Sequence, residues 1–160
     1  MITATDILIK SGYHINSNNL YEAIENVQKL TGLRGRWQVL STNPVIICDT
    51  GHNVDGIHIV MDQIKLLSYN KLHIVIGFVN DKDINGIIEL LPQNAVYYFT
   101  NANIPRALNA EELKNKALPL GLTGNSYNTV KLAIEAAKSA ADKEDMIFIG
   151  GSNFIVAEAL

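Results

Sequence analysis

The side chains best suited to chemistry in this sequence lie in one short polar segment, Asp49-Thr50-Gly51-His52-Asn53. An apolar run precedes this segment, so Asp49 is expected where a strand ends, and its carboxylate can accept ribose hydroxyls or orient an imidazole. Imidazoles titrate near neutral pH, so His52 can donate to a phosphorylated substrate or shuttle protons for it. Polar loop residues at strand ends often carry function, and we predict functional roles for both side chains. Asn53 is a natural N-cap for the helix that follows.

The same segment opens a G-x-x-x-x-G spacing, Gly51 to Gly56, between a predicted strand and a predicted helix. A phosphate-binding P-loop continues with Lys and then Ser or Thr, whereas Ile57 and His58 stand at those positions here. The chain contains no other candidate P-loop and no G-x-G-x-x-G motif, which disfavours a self-sufficient P-loop ATPase and the common type of NAD enzyme. His52 and His58 lack the usual spacing of metal ligands, and we predict no metal-binding residue.

Gly151-Ser152-Asn153 precedes another predicted helix and has two interpretations. Backbone N–H groups and the Ser152 hydroxyl can bind an anion there, or Ser152 can simply cap the helix. A hydrolase triad of Ser152, His52 and Asp49 is conceivable, but the chain has no G-x-S-x-G elbow to support it.

Two further segments carry charge next to predicted elements. Arg36 stands between a glycine and a tryptophan before the first strand, which suits stacking on a base or pairing with a phosphate; a solvated arginine is the alternative. Asp81-Lys82-Asp83 is interpreted as an exposed turn whose second aspartate begins a helix, where the helix dipole favours negative charge. Neither segment alone distinguishes a ligand site from a charged surface.

These segments lie at the ends of alternating strands and helices. Five apolar runs predict strands at residues 37–40, 45–48, 72–76, 96–99 and 146–149. Right-handed βα units then predict an α/β fold: a doubly wound, mostly parallel (mixed), Rossmann-like sheet with helices on both faces. Ligands of such sheets bind outside the carboxyl ends of the strands, where four polar loops of this chain converge.

Composition narrows the classes of function. Lys and Arg number 13 against 16 Asp and Glu, a net charge of −3 that disfavours a nucleic-acid-binding face. Hydrophobic residues make up 48% of the 160 residues, enough for one sizeable core, and the single cysteine, Cys48, excludes an intramolecular disulfide. No run approaches the ~20 apolar residues that cross a bilayer, and charges interrupt the first apolar stretch. We therefore expect a soluble, cytoplasmic domain with no nucleic-acid or membrane partner.

The motifs, in their order along the chain, resemble the C-terminal domain of folylpolyglutamate synthase/dihydrofolate synthase, a member of the Mur ligase superfamily. The resemblance covers about residues 20–160 and implies that 35–160 are the Mur-ligase-type C-terminal domain, while 1–34 are a helical linker or the end of a preceding domain. Two positions depart from the family pattern: Arg34 replaces the Pro of Pro-Gly-Arg, and Thr50-Gly51 replaces Gly-Ala. The resemblance rests on five motifs: Gly35-Arg36-Trp37-Gln38-Val39-Leu40, Asp49-Thr50-Gly51-His52-Asn53, Asp81-Lys82-Asp83, Pro105-Arg106-Ala107 and Gly151-Ser152.

The resemblance implies an ATP-dependent amide ligase that adds L-glutamate to folates. With ATP and Mg²⁺, a carboxylate of folate or dihydropteroate is phosphorylated, and the amine of glutamate attacks the acyl phosphate. The P-loop and the magnesium ligands belong to the family's N-terminal ATPase domain. This chain alone is therefore expected to be inactive and to have that domain as its partner.

By position, Arg36 and Asp49 match nucleotide-contacting residues of the family, and His52 and Ser152 match catalytic residues near the acyl phosphate and the incoming glutamate. The alternative function is a non-catalytic nucleotide- or anion-binding Rossmann-like module, with a stand-alone hydrolase as a third candidate. Substrate contacts are implied for three further residues: Lys82, Asp83 and Asn53.

Overall fold

In the computed structural model, which describes residues 2–80 and 83–160, the chain divides into two compact units at the boundary between Arg34 and Gly35. The first unit holds three short helices, α1 (Ile2–Lys10), α2 (Ser17–Glu25) and α3 (Val27–Thr31). The apolar spacing predicts that this region is helical with Leu20, Ile24, Val27 and Leu30 on one face. The region is helical, but the helix breaks at Asn26, and neither α2 nor α3 buries a residue. Gly32, predicted to stop the helix, ends α3 in the left-handed conformation.

The second unit is built on six strands: β1 (Gln38–Thr42), β2 (Val45–Cys48), β3 (Leu72–Ile76), β4 (Ala95–Thr100), β5 (Gly124–Tyr127) and β6 (Met146–Gly150). They form one sheet in the order β1-β2-β6-β3-β4-β5. β1 is antiparallel to β2, and every other neighbouring pair is parallel. The predicted mixed, doubly wound α/β sheet is confirmed.

Five helices cover the two faces of this sheet: α4 (Val54–Lys65), α5 (Ile84–Ile88), α6 (Ala110–Ala117), α7 (Val130–Ala140) and α8 (Asn153–Ala159). The first three bury their apolar residues in one core cluster, and α7 and α8 bury theirs in a second. Since both faces are covered, every residue of the central strands β3 and β6 is buried, which explains why their sequences are apolar apart from His73 in β3 and Gly150 in β6. Among residues 2–80 and 83–160, no helix combines the length and apolar character needed to cross a bilayer.

The boundaries differ from the predicted ones where local chemistry overrides the apolar pattern. The first strand begins at Gln38, because Trp37 adopts a φ of 43° that a strand does not allow. The sequence pattern predicts helices over about residues 83–91 and 128–143, and the structure has the shorter helices α5 and α7 there. β5 has no counterpart in the prediction, because its sequence Gly-Asn-Ser-Tyr is too polar to signal a strand.

Candidate functional site

The candidate site lies at the carboxyl ends of β2, β6 and β3, which are neighbours in the sheet. The chain leaves β2 towards α4 on one face and leaves β6 towards α8 on the other, so a crevice opens between them. Backbone hydrogen bonds continue past the strand ends: Asp49 N donates to Ile149 O at 3.1 Å, and Gly77 N donates to Gly150 O at 3.3 Å. The loops after these strands are thereby held against one another.

Asp49 is the organising residue of this edge. Its carboxylate is only 8% exposed, and each oxygen accepts a backbone hydrogen bond of 2.7 Å, Oδ1 from Gly51 N and Oδ2 from Trp37 N. A carboxylate is an acceptor only, so two N–H donors suit it well. Asp49 therefore ties the turn before β1 to the loop after β2, and its predicted contact with a nucleotide stays a prediction.

The turn at Gly35, Arg36 and Trp37 is tightly constrained. Gly35 is buried with a φ of 75°, and a Cβ there would lie 2.7 Å from Val156 Cγ1, so only glycine fits. Trp37 holds an unusual positive φ, which its hydrogen bond to Asp49 stabilises. Arg36, which lies between them, is exposed. Because the turn holds the backbone of Arg36 in place, its side chain, which we predict to contact the nucleotide, extends from a fixed point at the edge of the site.

His52 is half-buried, and its Nδ1 lies 2.9 Å from Thr50 O. A carbonyl oxygen only accepts, so Nδ1 carries a proton, and in the neutral ring Nε2 is left as the basic nitrogen. Since Thr50 holds the ring and both Asp49 oxygens take backbone donors, the structure does not form the Asp49–His52 contact of a hydrolase triad. The alternative in which Asp49 orients the imidazole is wrong for the same reason.

Ser152 follows β6 and is 4% exposed. Its Oγ accepts a hydrogen bond from Phe154 N at 3.2 Å, so the capping interpretation holds for α8. Gly151 before it has a φ of 90°, and a Cβ there would lie 2.7 Å from Gly77 O. The two glycine-containing strand ends approach each other so closely that no side chain fits between them.

The predicted substrate residues Asn53 and Asp83 are helix caps. Asn53 Oδ1 accepts from Gly56 N at 2.8 Å to begin α4, and Asp83 Oδ1 accepts from Gly86 N at 3.1 Å to begin α5. The two helix starts are adjacent, since a Cβ on Gly86 would lie 3.4 Å from Val54 Cγ2. Asp83 also lines a shallow groove of about 220 Å³ with Asn80, Glu112 and Lys116 among its walls. Lys82 lies outside the described residues.

One cation near the site was not singled out by the sequence analysis as a site residue. The guanidinium of Arg106 lies over the ring of Phe154, 5.1 Å from its centroid, and Phe154 follows Ser152 by two residues. The segment around Arg106 is held by Asn80 N, which donates to Arg106 O at 3.0 Å, and by a bridge between Val79 and Ala107. The motif Pro105-Arg106-Ala107 was the available signal.

A second polar cluster lies at the opposite, amino-terminal edge of the sheet. His73 is 1% exposed, with Nδ1 3.0 Å from the Tyr98 hydroxyl and Nε2 3.2 Å from Asp145 Oδ2. No neighbour along the sequence indicates a partner for His73, yet the fold supplies two. The partners lie 25 and 72 residues away along the chain, and only the strand register brings them together.

Comparison with known proteins gives a consistent result. The family model for "Mur ligase, glutamate ligase domain" matches residues 35–153. A dihydrofolate synthase/folylpolyglutamate synthase of Buchnera aphidicola (from Acyrthosiphon pisum) is 34% identical over 99% of this chain. The structure of Escherichia coli FolC in complex with DHPP and ADP matches 98% of the chain at 30% identity, with a TM-score of 0.83. The enzyme of Yersinia pestis complexed with AMPPNP and Mn ion matches 98% at 26% identity, with a TM-score of 0.82.

The chain spans little more than a third of the proteins it matches. It covers 38% of the length of the Buchnera protein, 36% of the Escherichia coli chain and 37% of the Yersinia chain. In each case the match extends over nearly all of this chain, so the similarity concerns one part of a larger protein in those relatives. The resemblance predicted from the motifs is confirmed at this level.

Proposed function

The chain belongs to the Mur ligase glutamate ligase domain family, and from that premise we propose that it is the C-terminal domain of an ATP-dependent ligase that adds glutamate to folates. The observation that carries the proposal is the convergence of the loop after β2 and the loop after β6 on one edge of a sheet with this family's fold. The similar proteins are folate ligases by name, and the Escherichia coli one binds DHPP and ADP.

In this proposal the chain supplies one wall of a two-domain active site. It has no P-loop sequence, so the grip on the nucleotide phosphates comes from an N-terminal ATPase domain that acts as its partner. Among the described residues, no three His, Cys, Asp or Glu side chains converge on a possible metal position. Mg²⁺ would accordingly be held by the nucleotide and the partner domain, where it neutralises phosphate charge during transfer. Arg36, held at the rim by the Asp49 network, pairs with the nucleotide.

His52 carries the proton chemistry that we propose for this wall. When the amine of glutamate attacks the acyl carbon, a C–N bond forms, phosphate leaves, and the nitrogen must lose a proton. Nε2 of His52 is suited to receive that proton, because Nδ1 is held as a donor by Thr50 O. The ring is fixed in orientation by the same hydrogen bond, so no rotation is needed at the moment of reaction.

The Ser152 region would receive the anionic part of the reactants. Ser152 Oγ accepts from Phe154 N, which leaves its own hydroxyl proton to donate to a phosphate or carboxylate oxygen. Arg106, stacked on Phe154 two residues after Ser152, supplies positive charge at the start of α8. We propose that Arg106 pairs with a carboxylate of the incoming glutamate. We also propose that Asn53 and Asp83 help to position the substrate indirectly, because they cap the helices α4 and α5 that border the site.

The test measures ATP-dependent joining of glutamate to a folate by the complete polypeptide and by the 160-residue chain alone. We expect ligation by the complete polypeptide and none by the chain alone, because the P-loop is absent from it. His52→Ala in the complete polypeptide should lower kcat/KM by about 100-fold or more, the usual contribution of a positioned acid or base.

His58→Ala is the matched control for this experiment. His58 lies six residues further on, on the solvent side of α4, where it pairs with Asp62 at 3.6 Å. Its removal should leave kcat/KM unchanged within about twofold, as expected for an exposed surface pair. Equal activities of the two variants would refute the role of His52, and nucleotide binding without any ligation would favour the non-catalytic binding module. Turnover by the chain alone would contradict the two-domain proposal.

A further inference from the structure

Among the side chains of residues 4–80 and 83–160, Thr50 carries the one buried oxygen or nitrogen that has no hydrogen-bond partner, its Oγ1. The main-chain groups of the same residue are both paired. Thr50 N donates to Gly35 O at 2.9 Å, and Thr50 O accepts from His52 Nδ1 at 2.9 Å. The unpaired hydroxyl therefore belongs to a residue whose backbone is hydrogen-bonded on both sides within the candidate site.

An unpaired buried hydroxyl costs free energy, because it has lost its bonds to water without replacing them. Nearly all buried polar groups in native proteins are paired, and the exceptions call for an explanation. Threonine is favoured in strands for its branched side chain, but Thr50 lies in the loop after β2, so this preference does not explain it. Valine has the same shape without the hydroxyl, so packing alone does not account for threonine.

We infer that the Thr50 hydroxyl is a nucleotide-binding group whose hydrogen bond forms only in the nucleotide-bound conformation, with an oxygen of the bound adenine nucleotide. The inference rests on the proposed function, which brings a nucleotide to the loop containing Asp49 and His52. The sequence motifs assign no ligand contact to Thr50, and a nucleotide oxygen would give its unpaired Oγ1 a hydrogen-bond partner.

The turn of Gly35, Arg36 and Trp37 lies against Thr50. A Cβ on Gly35 would lie 3.1 Å from Thr50 Cγ2, and Gly35 O accepts a hydrogen bond from Thr50 N at 2.9 Å. These contacts hold the backbone of Thr50 against the turn, whereas the residue as a whole is only half-buried. Rotation about the Cα–Cβ bond of Thr50 would bring Oγ1 to a nucleotide bound against Arg36 and leave the turn in place.

This arrangement predicts two effects of opposite sign for Thr50→Val. The ligand-free protein should become more stable, with Tm higher by about 2 to 4 °C, because the unpaired group is gone. The affinity for ADP should fall by about fivefold to tenfold, because the bound state loses a hydrogen bond. Thr50→Ser keeps the hydroxyl, and its ADP affinity should stay within about twofold of the wild type. Both quantities are measured on the complete polypeptide, by thermal unfolding and by titration calorimetry with ADP.

Thr123→Val is the matched control, because Thr123 is exposed in the loop before β5. It should change neither Tm nor ADP affinity. A Thr50→Val protein that is stabilised but binds ADP as the wild type does would overturn the inference while leaving the proposed function intact. A destabilised Thr50→Val protein would also overturn it, since the hydroxyl would then have a partner in the free state. Failure of the wild type to bind ADP would refute the proposed function, and this inference with it.

Discussion

Asp145 and His73 form a buried hydrogen-bonded pair beneath α7, at the edge of the sheet away from the candidate site. Asp145 is 4% exposed and accepts from Lys71 N at 3.0 Å, from Asp142 N at 2.9 Å and from His73 Nε2 at 3.2 Å. The hydrogen bond from the Asp142 N–H makes the largest contribution to lowering the pKa of Asp145 below its usual range, and His73 lowers this pKa further. Burial acts in the opposite direction. Burial, with Tyr127 and Asp145 nearby, raises the pKa of Tyr98, so its hydroxyl stays protonated and donates to His73 Nδ1.

The lowered pKa of Asp145 makes this pair a source of stability that depends on pH. Because the folded-state pKa lies below the unfolded value of about 3.9, the contribution is complete above that pH and is lost as the pH falls below it. Asp145→Asn replaces an acceptor by an amide whose NH₂ group faces backbone donors. We expect Tm to fall by about 5 to 10 °C at pH 7. The gap from the wild type should narrow between about pH 4 and pH 3 in thermal unfolding experiments.

Asp142→Asn is the control for the loss of one negative charge. Its side chain is exposed, and the hydrogen bond to Asp145 comes from its backbone N–H, which the substitution keeps. Tm should change by less than about 2 °C, as for most surface substitutions. A gap between Asp145→Asn and the wild type that stays constant from pH 7 to pH 3 would show that Asp145 acts by shape and not by charge.

At the scale of single residues, the sequence predicted chemistry well where it depended on local context. Asp49 was expected at a strand end and Asn53 at a helix cap, and both expectations depend on neighbours within a few residues. The partners of His73 could not be found in this way, because they come from β4 and from the turn before β6. The Asp49 carboxylate was likewise expected to face a ligand or an imidazole, but its strongest partners are backbone groups that no side-chain pattern reveals.

The strand ends of β3 and β6 meet at three glycines, and their close approach decides the shape of the crevice. A Cβ on Gly77 would lie 2.3 Å from Thr100 O, and one on Gly150 would lie 2.9 Å from Asp49 O. Two constraints favour glycine at position 151. Its φ is positive, and a Cβ on this residue would lie 2.7 Å from Gly77 O. The loops that carry His52 and Ser152 are therefore set by backbone-to-backbone contact.

Gly151→Ala tests whether space or backbone conformation dominates there. Gly121→Ala is the matched control, because Gly121 also has a positive φ, 78°, but its nearest neighbour is the flexible Gln93 side chain at 3.5 Å. The control should cost only the conformational term, about 1 kcal/mol. Gly151→Ala should cost at least about 3 kcal/mol in denaturant unfolding, because Gly77 O must also move. Equal losses in the two variants would argue against the close contact of β3 and β6.

At the scale of elements, apolar periodicity and capping residues predicted five of the six strands and the order of the α/β units. The spacing of Asn109 and Glu112 predicts a capping box at the start of α6, and the Asn109 side chain accepts hydrogen bonds from both Glu111 N and Glu112 N. The Glu112 carboxylate pairs with Lys116 at 3.5 Å, so one half of the predicted capping box is present. β5 escaped prediction because it lies at the edge of the sheet, where it is only partly buried and its sequence Gly-Asn-Ser-Tyr has a single aromatic residue to indicate a strand.

The two units of the molecule differ in how much of their apolar surface is buried. Among the residues whose side chains the structure describes, 4–80 and 83–160, the buried hydrophobic residues lie between Ile46 and Val156, all within the second unit. In the first unit Thr5 is buried among the described side chains, whereas Ile7, Tyr13, Tyr21 and Leu30 are 60 to 66% exposed. Such exposure fits the proposal that residues 1–34 belong to the end of a preceding domain, whose surface would cover these side chains.

Separating the two units provides the test at this scale. A protein of residues 35–160 keeps the entire core and all six strands, so we expect it to fold cooperatively with a Tm within about 4 °C of the whole chain, the change that ~1 kcal/mol produces at this size. A peptide of residues 1–34 should be largely unfolded by far-UV circular dichroism, because its helices span nine, nine and five residues and isolated helices this short are marginal in water. Strong helicity of the peptide alone, or failure of residues 35–160 to fold, would contradict this division. If a preceding domain covers these helices in the complete polypeptide, as the resemblance implies, their amides should be protected from hydrogen exchange there and exchange fast in the isolated peptide.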